Sequence, residues 1–132
     1  MIAHVLTSDG LALVDLDEET VLGLEDGTPF EPAVQPPVSL PLLVAAAGAG
    51  STVVAVIKSK PPLVVSHDAG RTWRESGRGL PAGRAVAVSD EDPDVVLYAT
   101  RNRLYLSRDG GMFWTALAVE LPEIQTVGLR EA

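Results

Sequence analysis

The chain has 132 residues, 46% of them hydrophobic, which suits one domain with a core and excludes disorder. It has no cysteine, so disulfides and thiolate metal sites are excluded, and its net charge of −8 sets it against phosphate backbones and so against nucleic acid. Twelve Gly and ten Pro demand many turns, which short strands accommodate better than long helices.

In chain order, apolar runs at 2–7 and 10–14 predict two strands. A charged turn follows (Asp15, Asp17, Glu18 and Glu19), and 21–24 predicts a third strand. Residues 32–57 hold no charge and are numerous enough to cross a bilayer. Pro36, Pro37, Pro41, Gly48 and Gly50 interrupt them, so the stretch reads as two buried strands, 42–47 and 52–57, and no membrane span is expected. Strands at 64–66 and 72–75 come next, then 84–89, 95–100, 104–107 and 113–119, and last 124–129. The opening residues Met1, Ile2, Ala3 and His4 lack the basic start of a secretory signal, so a cytoplasmic location is expected. His4 and His67 are the two imidazoles, too few for a His-rich zinc site, and no metal or cofactor is expected.

Two octets repeat. Ser66, Asp68, Gly70, Thr72 and Trp73 match Ser107, Asp109, Gly111, Phe113 and Trp114 in the pattern S-x-D-x-G-x-[T/F]-W, 41 residues apart. That spacing fits one four-stranded propeller blade. The flanks repeat too. An apolar run precedes each octet, a second run precedes that one, and Leu80-Pro81 or Leu121-Pro122 follows.

The octets resemble the Asp-box, or BNR repeat, of sialidases, sortilin-type receptors and photosystem-assembly propellers. The resemblance implies an all-β propeller whose box is the turn between the third and fourth strands of a blade. It implies that Ser and Asp side chains hydrogen-bond the turn backbone, that Gly takes a conformation closed to other residues, and that Trp packs into the blade. Short polar side chains close turns locally, Gly supplies positive φ, and an indole buries a large area. Such a box is a structural device rather than a catalytic one.

With this ruler the chain is a single propeller domain of about three blades: blade 1 at about 1–30, blade 2 at about 40–80 and blade 3 at about 82–120. Blade 1 has a degenerate box in which Thr20 matches and Val21 stands in the place of Trp. It also lacks an innermost strand, and 124–129 is the spare that supplies it. Three blades fall below the usual range of about four to eight for a ring. The expectation is therefore a six-bladed ring completed by a homodimer, each C-terminal strand crossing to close the other copy's first blade. Residues 1–50 hold eight acids and no Lys or Arg, so acidic blade 1 is expected to abut the other copy's blade 3, with Arg101, Arg103 and Arg108.

Sialidase chemistry, as the resemblance frames it, needs an arginine triad, a Tyr nucleophile and carboxylates. Tyr98 and Tyr105 lie inside apolar runs and read as core, the arginines sit beside turns, and the Arg-Ile-Pro signature is absent. Glycosidase activity is not expected. Asp90, Glu91, Asp92 and Asp94 lack the spacing of a calcium loop and read as a solvated turn. His67 alternates with Arg108 at a variable octet position and reads as exposed. Two functions stay open: a non-catalytic propeller serving a protein partner, or a carbohydrate-binding or vestigial glycosidase propeller. The second needs aromatic platforms. The aromatic set is Phe30, Trp73, Tyr98, Tyr105, Phe113 and Trp114, of which Trp73, Phe113 and Trp114 are assigned to box packing, so the first reading is preferred.

Overall fold

A computed structural model of the chain describes residues 1–25 and 35–130; Phe30 and the end of the expected first blade lie outside them. Every regular element among the described residues is a strand: β1 (Ile2–Thr7), β2 (Gly10–Asp15), β3 (Thr20–Glu25), β4 (Leu43–Ala49), β5 (Thr52–Ile57), β6 (Leu63–Ser66), β7 (Arg74–Ser76), β8 (Ala85–Val88), β9 (Val96–Ala99), β10 (Arg103–Ser107), β11 (Thr115–Glu120) and β12 (Ile124–Arg130). They form three four-stranded antiparallel sheets, ordered β12-β1-β2-β3, β4-β5-β6-β7 and β8-β9-β10-β11. These are propeller blades, referred to as blades 1, 2 and 3.

Blade 3 is the middle layer. One of its faces, with Val86, Val88, Val96, Tyr98 and Tyr105, packs against Val54, Val56, Leu63 and Val65 of blade 2. The other, with Ala87, Leu97, Leu104, Leu106 and Leu117, packs against Val5, Val14 and Val127 of blade 1. A sheet buried on both faces needs unbroken apolar runs rather than alternation. Accordingly, all of β9 is buried, as is β10 beyond Arg103.

Two expectations about the chain ends are corrected. The C-terminal strand does not leave for another copy: β12 pairs with β1 of the same chain, Val5 opposite Val127 and Ala3 opposite Leu129. Blade 1 abuts its own blade 3, where Arg108 meets Asp17 at 2.9 Å. The cause is proximity: Leu121, Pro122 and Glu123 alone separate β11 from β12, so β12 falls beside blade 3 and carries β1–β3 with it. Arg84 secures that corner by pairing with Glu123 at 2.6 Å. Blade 1 therefore lies on the far side of blade 3 from blade 2. The step from β3 to β4 takes residues 26–42, whereas 77–84 suffice between β7 and β8.

The fourth strands start later than the periodicity predicts, at Arg74 and Thr115 instead of Thr72 and Phe113. The octet's Asp takes the amide protons of the intervening residues, which leaves those amides outside the ladder.

Candidate functional site

The two octets are built alike. Ser66 Oγ accepts the Gly70 amide at 2.8 Å and donates to Asp68 Oδ1 at 2.7 Å. Asp68 Oδ1 accepts the amides of Arg71 and Thr72 at 3.1 and 2.8 Å, and its Oδ2 accepts the Thr72 hydroxyl at 2.5 Å. In the second octet Ser107 Oγ accepts the Gly111 amide at 2.9 Å and donates to Asp109 Oδ1 at 2.7 Å. Asp109 Oδ1 in turn accepts the Met112 and Phe113 amides at 3.1 and 3.0 Å. Each Asp thus turns at least one carboxylate oxygen to the closure of its own turn.

These donors stabilise the charged carboxylates. The Thr72 hydroxyl and amide, then the Ser66 hydroxyl, hold Asp68 far below the ordinary carboxylate range. The Phe113 amide and then the Ser107 hydroxyl lower Asp109. Asp17 is lowered by the Met1 ammonium and then Arg108, and Glu123 by Arg84 and then Arg101. The folded chain therefore binds fewer protons at these groups than the unfolded chain. Their stabilisation is complete above the ordinary carboxylate range and is lost as pH falls through the lowered native values. Urea midpoints are expected to stay level from about pH 7 to 5 and to fall below about pH 4. An Asp68→Asn, Asp109→Asn chain is expected to be weaker at neutral pH and to show a shallower acid limb.

Left-handed backbone occurs at two successive residues in each octet. In the second they are Gly110 and Gly111, with φ of 72° and 87°. In the first they are Ala69 and Gly70, with φ of 60° and 89°. A side chain in that region is strained. Ala69→Gly is expected to raise stability by about 0.5–1 kcal/mol, the relief of strain outweighing the extra freedom of the unfolded chain. Chemical denaturation checks it.

The tryptophans pack, as the motif implies, but Phe113 does not. Trp114 enters the core between blades 2 and 3, its indole nitrogen donating to Ser76 Oγ at 2.9 Å. Ser76 in turn donates a short hydrogen bond to the Gly111 carbonyl. Trp73 packs on the other face of blade 2, with Ala46, Ala55 and Val64. Phe113 is 74% exposed. The turn uses its amide alone, so its side chain is free to face solvent, and its assignment to box packing is withdrawn. It overlooks a groove of about 440 Å³ between blades 1 and 3, lined with Asp17, Glu19, Arg108 and Asp109.

Tyr98 and Tyr105 are buried and stacked, with ring centroids 6.0 Å apart. The Tyr98 hydroxyl donates to the Pro81 carbonyl at 2.6 Å, and burial pushes its pKa up, followed by the charge of Tyr105. A phenol so placed is kept neutral and away from solvent. His67 is exposed beside Thr52, Nδ1 to Oγ1 3.4 Å. In the acidic turn Asp92 Oδ1 accepts the Asp94 amide at 3.2 Å, and Ser89 Oγ accepts the Asp92 amide at 3.2 Å. No group of three or more metal-ligating side chains occurs among the described residues.

The innermost strands β4, β8 and β12 line an axial groove of about 410 Å³ that sequence reading did not locate. Its lining includes Ala45, Ala47, Ala85 and Ala87, and Arg84, Asp90 and Gln125 supply polar groups. The alanines clustered on two inner strands were the available signal.

Fold and turns together define a run of β-propeller blades closed by paired Ser/Asp octets. No protein-family model matches the chain, and no curated protein matches it. Among solved structures, the crystal structure of the GH74 enzyme of Niastella koreensis is similar over 90% of this chain, with 24% sequence identity and a TM-score of 0.47. The similarity takes in 17% of that enzyme's chain. Among the described residues, no helix is long and apolar enough to cross a membrane.

Proposed function

We propose that this chain is a cytoplasmic, non-catalytic Asp-box propeller module that presents its axial groove and blade rims to a protein partner. The observation that carries this reading is the use of the octets' Ser and Asp side chains in turn closure: Asp68 and Asp109 each bind their own backbone and their own Ser. The tyrosines a glycosidase would use as nucleophile are sealed between blades 2 and 3. Acidic charge disfavours nucleic acid as the partner. The test is hydrolysis of a panel of aryl glycosides, sialosides included, between about pH 4 and 8, with no turnover above buffer expected. Turnover abolished by Tyr98→Phe or Tyr105→Phe would overturn the reading.

A carbohydrate-binding role has one observation in its favour, the exposed Phe113 beside Asp17, Glu19 and Arg108. An aromatic face with charged neighbours is the arrangement sugar rings need. Glycan-array binding that Phe113→Ala removes would replace the first reading with this one.

A further inference from the structure

Blade 3 shows how an octet meets the neighbouring blade. Trp114 reaches out of its turn into the face of blade 2, and a Cβ on Gly111 would come within 3.0 Å of Val65 of that blade. One repeat earlier, Trp73 holds the matching position on blade 2 and faces the opposite way, toward where a preceding blade would stand. No blade is there. The strip 35–41, which carries Pro36, Pro37 and Pro41 and forms no strand, lies across the face with Val38 and Leu40 packed on it. Trp114 has Ser76 as acceptor; the Trp73 indole has no hydrogen-bond acceptor among the described residues.

Blade 1 has the complementary surface. Ala3, Val5, Ala12 and Val14 face blade 3, so the alternation of the strands turns Leu6, Leu11 and Leu13 to the other side, with Leu6 directly opposite Leu11. Leu6 and Leu13 are half-buried there, whereas Leu11 is already buried within the chain.

We propose that a second copy of this chain seats its blade 1, through Leu6 and Leu13, on the Trp73 face of blade 2, displacing the 35–41 strip, and that the two copies close a six-bladed ring. Three features of the chain choose this occupant. Rings close with about four to eight blades, and six is the one multiple of three in that range. The two segments differ in charge: of the six acids in 1–25 Asp17 and Glu19 are engaged by the chain's own blade 3 and no Lys or Arg offsets the others, while 43–76 holds Lys58, Lys60, Arg71 and Arg74 against Asp68 and Glu75. A two-fold axis then makes the same contact twice and leaves no unpaired blade face. The axial groove, which three inner strands line on one side, is completed by the other copy's three. The ring stands or falls independently of what its groove binds.

Light scattering and native mass spectrometry of the full chain are the test. A mass of twice 13.9 kDa is expected at micromolar concentration, and a folded species of 13.9 kDa throughout would overturn the proposal. Trp73→Glu and, separately, Leu13→Glu should each halve the mass with strand circular dichroism retained; a dimer that survives both overturns it. Should either variant fail to fold, the absence of native cysteine permits a second measurement. Leu13→Cys and Ile57→Cys chains, mixed with a short bismaleimide, should link to one another. Linkage confined to like pairs, or absent altogether, rejects this interface.

Discussion

Gly83→Ala is expected to cost about 3 kcal/mol of stability, among the largest losses of any single methyl added to this chain. A Cβ at Gly83 would overlap the Tyr98 ring at Cε1, Cζ and the hydroxyl. The ring cannot retreat. It is fully buried, hydrogen-bonded to the Pro81 carbonyl, stacked on Tyr105 and met edge-on by Trp114. Gly23 is the control: its Cβ would find open space and its φ is ordinary, so Gly23→Ala should stay within about 0.5 kcal/mol of the parent. Urea midpoints at neutral pH measure both, and a Gly83→Ala chain as stable as Gly23→Ala would show that the 81–84 segment moves freely away from blade 3.

Trp114→Ala should cost a comparable amount, about 3 kcal/mol, by opening a cavity between blades 2 and 3. It also removes the donor that Ser76 accepts. Trp114→Phe should recover part of the loss, since the ring volume returns without the indole N–H. Phe113→Ala, one residue earlier, should change stability by less than about 0.5 kcal/mol, because its side chain is exposed. Thermal unfolding of the four chains checks the order, and equal losses at 113 and 114 would contradict the packing.

Much of this was legible because the octets and their flanks name their own blades. Once Ser66–Trp73 and Ser107–Trp114 are aligned, each apolar run has a place, and every predicted strand corresponds to one in the structure. The turn chemistry was equally readable, since Ser, Asp and Gly act on backbone atoms within four residues. Three things were hidden, each for its own reason. The sequence pattern identified β12 as spare but not that the three residues after β11 would keep it beside its own blade 3. The pattern placed Phe113 in the motif, but that position alternates with Thr72, and the turn requires its amide and nothing of its ring. Ala69 gave no sign of its left-handed backbone, because the pattern leaves that position open.

The ladder between β1 and β12 sets a timetable for folding. Ile2 pairs with Arg130, so the N-terminal strands find their inner partner only after almost the whole chain exists. Contacts of such sequence separation form slowly, because the loop they close is long. On a ribosome, β1–β3 would be made first and completed last, with one edge of β1 bare in the meantime. Joining the two ends and opening the chain among residues 26–34 would place β12 directly before β1, so that each blade became one continuous segment. That permuted chain should refold faster than the parent while keeping the same three sheets, separating the speed of folding from the structure it reaches.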